Sequence, residues 1–166
     1  MSTRRRKAGV DGSAMRRGPN GRPLCRWCKA EVAGRRRTFC SAACVHEWKV
    51  RRDPSYVRTC LRRRDDGICS ECGLDAVALY YELRLLDRLA LREGKGPGVY
   101  LKALEQRKIP LLRMANENGL WDADHVVGVA DGGGECSLDG FQTLCLWCHR
   151  KRSAGQTTAR AARRKS

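Results

Sequence analysis

Apolar residues fall at helical spacing over much of the middle of the chain. Between Ala76 and Arg92, Leu79, Leu83, Leu86 and Ala90 share one face, which predicts an amphipathic helix. Gly94-Lys95-Gly96-Pro97-Gly98 breaks it, since Gly and Pro both oppose helix continuation. Tyr100, Leu101, Leu104, Leu111, Leu112 and Met114 predict further helix, interrupted near Pro110. An earlier helix is expected after Asp53-Pro54, a helix-start signal. There Tyr56, Val57, Cys60 and Leu61 recur with arginines between them. The expectation is an apolar side against a core and an arginine side facing out. Asp124 and His125 read as strand, the Gly-rich turn Asp131-Gly132-Gly133-Gly134 as a hairpin connector, and His149 as the start of a helix.

Composition narrows what such elements can build. A chain of 166 residues makes one domain or two very small ones, and 6% aromatic content gives little apolar material for a core. Small scaffolds of this kind need staples, and ten cysteines can supply them. The arginines near the N-terminus are followed by no apolar segment of a secretory signal, and no apolar run is long enough to span a membrane. The expected compartment is intracellular and reducing (cytoplasmic or nucleoid-associated), where paired cysteines favour zinc over disulfides. A formal net charge of +16 points to a polyanionic partner, because Lys and Arg release counterions on meeting phosphates. DNA is the expected partner.

The cysteines form two quartets. Cys25 and Cys28 pair with Cys40 and Cys44 at spacings suited to a tetrahedral zinc. Arg35-Arg36-Arg37 lies between them on an expected hairpin tip and is a candidate DNA contact. Ser41 is placed to cap a short helix carrying Cys44, His46 and Trp48, with His46 read as a surface histidine. The second quartet joins Cys69 and Cys72 to the distant Cys145 and Cys148, a clip that ties the start of a domain to its end.

Trp121 to His149 reads WDADHVVGVADGGGECSLDGFQTLCLWCH and carries the candidate chemistry. Hydrolysis of a phosphodiester needs a divalent cation to stabilise charge and a base to activate water. Neighbours on a strand point to opposite faces, so Asp124 and His125 can divide those roles. Asp124 would bind metal, His125 would face the scissile phosphate, and His149 can complete the metal site. A hairpin and a helix with one cation between them form a compact ββα unit.

These residues resemble the HNH endonucleases. The resemblance rests on WDADH, the GGG turn, SLDGFQTLC and the closing CxxCH, over residues 69 to about 155. RxFCSxxC, SYVR and GICSECG extend it to roughly 24–160, in the manner of a subgroup found at the C-terminal end of an annealing helicase that also carries a Ran-binding-type zinc finger. With no helicase segment in view, a stand-alone relative is expected. The resemblance implies a small α+β fold: a ββα-metal HNH core stapled by a four-cysteine zinc, preceded by a second four-cysteine zinc-knuckle module and carrying a mainly helical insertion. It implies Asp124 and His149 as ligands of a catalytic Mg²⁺ or Mn²⁺, His125 as general base, and two structural Zn²⁺. The expected organisation is a disordered basic arm at 1–22, a zinc-knuckle module at 23–50, the nuclease domain at 51–155 with its insertion at 74–118, and a basic tail at 156–166.

One position departs from the family. Gly140 stands where the family places an Asn that steadies the loop and orients the base histidine. The Gly140 backbone carbonyl is left to bond the imidazole. The rival expectation is therefore a catalytically weak or inactive zinc-stapled DNA-binding protein, or an accessory recruiting subunit. Arg150 and Arg152, beside His149, are the expected phosphate contacts.

Overall fold

The computed structural model describes residues 15–163, which divide into two units between Asp53 and Pro54. The first unit condenses around its cysteines. Cys25, Val32 and Cys44 are buried together, with Phe39 and Cys40 packed on them. Helix α1, Ala42–Val50, starts at Ser41, whose hydroxyl accepts the Cys44 N–H at 3.1 Å, as the sequence suggests. Phe39 meets Trp48 edge-on at 5.7 Å, and the Arg51 guanidinium stacks on Trp27 at 4.3 Å. His46 is half-buried on α1.

Residues 15–22, assigned to the arm by composition, are tied into this unit. Arg17 bridges to Pro23, and both the backbone N–H and side-chain amide of Asn20 donate to the Glu31 carboxylate at 2.7 Å. Residues 1–14 of that arm lie outside the described residues.

The second unit begins with α2, Pro54–Asp65, which buries Val57 and Leu61. Pro suits the first helical position because the N–H it lacks would have no partner there. Its arginines do not all face out. Arg58 stacks on the ring of Trp121 at 4.5 Å and donates to the carbonyls of Asn118 and Trp121. Arg64 reaches the carbonyls of Leu138 and Phe141. Both turn to backbone carbonyls beside the hairpin, where the part-buried carbonyls of Trp121 and Phe141 gain donors.

The helical insertion is α3, Ala76–Arg92, capped by Asp75, then α4, Gly98–Gln106, then two short 3-10 turns at Leu111–Ala115 and Glu117–Leu120. Leu83, Ala90, Tyr100, Leu104 and Met114 are buried, so these positions of the apolar stripes pack, whereas Leu101, Leu111 and Leu112 of the second stripe are exposed. Strand β1, Trp121–His125, pairs antiparallel with β2, Phe141–Cys145. Asp124 lies opposite Gln142, and His125 opposite Phe141. The connector holds 3-10 turns at Val129–Asp131 and Leu138–Gly140. Gly133 is required within it, since a Cβ there would fall 1.8 Å from the Val127 carbonyl.

Helix α5, Leu146–Arg163, follows β2 without a loop and starts three residues before His149. It runs through position 156, so the boundary expected there cuts no linker. Residues 164–166 of the tail lie outside the described residues. No helix among the described residues is long and apolar enough to cross a membrane.

Candidate active site

The site is built where β1 meets the first turn of α5. Asp122 and Asp124, two apart on β1, share one face, and His149 comes to it from α5. His149 Nε2 faces Asp124 Oδ1 at 4.0 Å, too far for a hydrogen bond. Its Nδ1 faces Asp122 Oδ2 at 3.3 Å. The Asp122 and Asp124 side chains are 17% and 18% exposed, and that of His149 is 35% exposed.

Charge around the two carboxylates is unequal. Asp122 is approached by Arg58 Nη1 at 3.5 Å on Oδ1 and by Arg113 Nη2 on Oδ2. Asp124 has Arg152 Nε at 2.9 Å and Gln142 Nε2 at 3.4 Å, both on Oδ2. Its Oδ1 is thereby turned toward His149. The Asp124–His149 gap suits a small hard cation. Ligands bound at about 2.1 Å to an octahedral ion stand about 3.0 Å apart when adjacent and about 4.2 Å apart when opposite.

His125, next along the strand, has its ring 4.3 Å from that of Phe141. The Gly140 carbonyl, expected as an acceptor for this imidazole, accepts the Val126 N–H at 2.8 Å instead. A side chain at position 140 is blocked: a Cβ there would lie 2.5 Å from Cys136 Cβ and 2.6 Å from its Sγ.

The cysteine quartets take the form the spacing predicts. All ten cysteines are free of disulfides. The sulfurs of Cys25, Cys28, Cys40 and Cys44 lie within 4.8 Å of one another, as do those of Cys69, Cys72, Cys145 and Cys148. Nearest sulfurs stand 3.4 Å apart in the first quartet, and Cys72 and Cys145 stand 3.7 Å apart. Four thiolates at about 2.3 Å from a tetrahedral zinc would stand about 3.8 Å apart.

Within each quartet the thiols diverge: the neighbouring Cys44 and Cys28 side chains push Cys40 up to about 12, and burial raises Cys145 and Cys148, while one thiol of each quartet is lowered. Burial pushes the Cys25 thiol up, but backbone N–H groups of Cys40, Cys28 and Trp27 outweigh it and hold the thiol near 6. Burial likewise opposes ionisation of Cys69, and the backbone N–H groups of Cys145, Cys72 and Glu71 bring it to about 7. Each quartet can thus hold a zinc ion, and the second lies against the site. Cys69, Leu144 and Cys145 form one buried cluster, flanked by Trp147 and Cys148, immediately before His149.

The remaining expected contacts separate. Arg35, Arg36 and Arg37 are exposed on their turn. Arg150 is exposed and donates to the Lys108 carbonyl at 3.0 Å. Arg152, expected on phosphate, is instead folded into the site: besides meeting Asp124, it donates to the carbonyls of His125 and Val126 and lies 3.7 Å from Glu71. Asp122, Arg58 and Arg113 were not among the expected site residues. Alternation along WDADH carries a signal for Asp122, whereas nothing local marks the two arginines.

A two-stranded hairpin running directly into a helix, with Asp-His on the strand, His on the helix and a four-cysteine clip beside it, defines the HNH class of ββα-metal domains. No protein-family model matches the chain. Over 156 aligned positions, 85% of this chain, it is 34% identical to the DNA annealing helicase and endonuclease ZRANB3 of Mus musculus and 33% identical to that of Bos taurus. The match spans 14% of the length of each of these relatives. The crystal structure of the human ZRANB3 HNH domain is 30% identical, with 69% of this chain and 98% of that one covered and a TM-score of 0.49. The chain belongs to the HNH family, as a homologue of the HNH segment of ZRANB3.

Proposed function

We propose that the chain is a metal-dependent DNA endonuclease that hydrolyses phosphodiester bonds inside the cell. The observation that supports this most is the Asp124 Oδ1–His149 Nε2 gap of 4.0 Å, with His125 the next residue along the strand. Asp124 and His149 would hold the divalent ion, Mg²⁺ or Mn²⁺. Such an ion polarises a scissile phosphate and stabilises the leaving oxygen. Arg152 and Gln142 keep the second Asp124 oxygen occupied and so fix the direction of the first. His125 accepts the proton of the attacking water on a ring nitrogen, and Phe141 fixes the plane of its ring. Cys69, Cys72, Cys145 and Cys148 would hold a structural zinc at the β2–α5 junction, and the buried packing of Leu144 and Cys145 there carries the chain into His149.

DNA is the proposed substrate. The net charge of +16 favours a polyanion, and the relatives are named for action on DNA. Arg35, Arg36, Arg37 and Arg150 are the proposed backbone contacts.

Gly140 favours a second reading. With no side chain at 140 and Cys136 in the space a side chain needs, His125 lacks the family's amide support. A zinc-stapled DNA-binding protein with weak or no cleavage, or an accessory subunit, would follow. Nicking of supercoiled plasmid in a Mg²⁺ and Mn²⁺ series separates the readings. The nuclease reading expects relaxed product that depends on the ion. Tight plasmid binding without nicking would support the second reading.

A further inference from the structure

We infer that Asp122 is a positioning residue for His149: its carboxylate holds the imidazole with Nδ1 protonated, leaving the Nε2 lone pair toward Asp124. The inference rests on the reading of Asp124 and His149 as the metal pair, and it concerns a residue outside that pair.

Three observations support it. First, the two ring nitrogens of His149 each face a carboxylate, but at different distances. Nδ1 is the nearer to a carboxylate, 3.3 Å from Asp122 Oδ2, whereas Nε2 lies 4.0 Å from Asp124 Oδ1. A proton on Nδ1 would therefore face the nearer carboxylate, and one on Nε2 would not. Second, Asp122 is already supplied with positive charge. Arg58 meets Oδ1 and Arg113 meets Oδ2, so a divalent cation at Asp122 would face two guanidiniums. Asp124 has a single guanidinium, on Oδ2, which leaves Oδ1 for the cation. Third, Asp122 is itself held in place. Arg58 is anchored to the carbonyls of Asn118 and Trp121 and to the Trp121 ring, so the carboxylate is fixed from α2 as well as from β1. A neutral imidazole can bind metal through only one nitrogen at a time, and the hydrogen bond at the other selects which.

The test begins on the metal-free catalytic site of the zinc-loaded protein. Long-range ¹H–¹⁵N NMR of ¹⁵N-histidine-labelled chain, at alkaline pH where imidazoles are neutral, reports the tautomer of each of the three histidines. Wild-type His149 is expected as the Nδ1–H form. Asp122→Ala is expected to move it toward the Nε2–H form and to weaken Mn²⁺ binding about 10–100-fold by calorimetry. Asp122→Asn, which keeps an acceptor oxygen of the same shape, is expected to retain the Nδ1–H form with a smaller loss of Mn²⁺ affinity. If Asp122→Ala fails to fold, the wild-type and Asp122→Asn spectra decide. An Nε2–H tautomer in the wild type overturns the inference, and so does Mn²⁺ affinity unchanged within twofold in a folded Asp122→Ala. Wild-type protein that shows the Nδ1–H tautomer but binds no Mn²⁺ would refute the metal-pair reading and leave the role of Asp122 toward His149 standing.

Discussion

Replacing Gly140 with Asn, the family residue, should damage this protein rather than repair it. Gly140 is not among the glycines of positive φ, so the backbone itself accepts a side chain. The obstacle is steric. The new Cβ would stand 2.5 Å from Cys136 Cβ and 2.6 Å from Cys136 Sγ, well inside contact distance. Overpacking of this kind costs roughly 1–3 kcal/mol. Loss of glycine's freedom in the unfolded chain offsets only about 0.4–1 kcal/mol. For the second unit the net loss corresponds to a melting temperature lower by several degrees, at about 4 °C per kcal/mol. Because Cys136 Cβ is itself in the way, Cys136→Ala should leave most of the cost, whereas Cys136→Gly should remove it. Thermal melts of Gly140→Asn in wild-type, Cys136→Ala and Cys136→Gly backgrounds measure the coupling directly. Faster nicking is expected only for Cys136→Gly/Gly140→Asn. A Gly140→Asn protein as stable as wild type, or one destabilised equally in all three backgrounds, would refute the packing argument.

Other consequences follow from the staples and the hairpin. Metal analysis should find two zinc ions per chain, and a strong chelator should lower the melting temperature of both units; a zinc content near zero would remove both staples. Arg64→Ala strips donors from the carbonyls of Leu138 and Phe141 and should cost about 1–3 kcal/mol in denaturant unfolding, with Arg64→Lys only partly restoring it. Burial alone would raise the Asp65 carboxyl, but the Arg64 guanidinium and the Thr143 hydroxyl at 2.6 Å hold it below the usual range. A lowered folded-state value contributes stability above about pH 4 that is lost as pH falls through that value. Asp65→Asn should therefore be less stable at neutral pH and show a shallower acid limb; identical acid limbs would contradict this.

Particular residues show how far the sequence reaches. The cysteine quartets are legible because zinc demands thiolates at short spacings, and each spacing is a local property. Leu83, Ala90 and Leu104 are legible as core because helical periodicity is local too. Asp124, His125 and His149 are found through motif spacing, and the structure brings Asp124 and His149 face to face. The arginines are where reading residue by residue fails. Arg58, Arg64 and Arg152 look like a solvated or DNA-facing charge set, yet each meets backbone carbonyls distant in sequence. Residue type gives an arginine's charge but not its partner, and the partner is fixed only when β1, α2 and α5 meet. The Gly140–Cys136 contact is hidden for a related reason: the 3-10 turn at Leu138–Gly140 brings the two together, and no periodicity announces it.

The division of labour between Asp124 and His125 is tested most directly by one paired measurement on zinc-loaded protein: Mn²⁺ binding by calorimetry and plasmid nicking, for wild type, Asp124→Ala and His125→Ala. The account predicts that wild type binds Mn²⁺ and nicks, that Asp124→Ala loses both, and that His125→Ala keeps Mn²⁺ but loses nicking. Nicking that survives His125→Ala at the wild-type rate would contradict it.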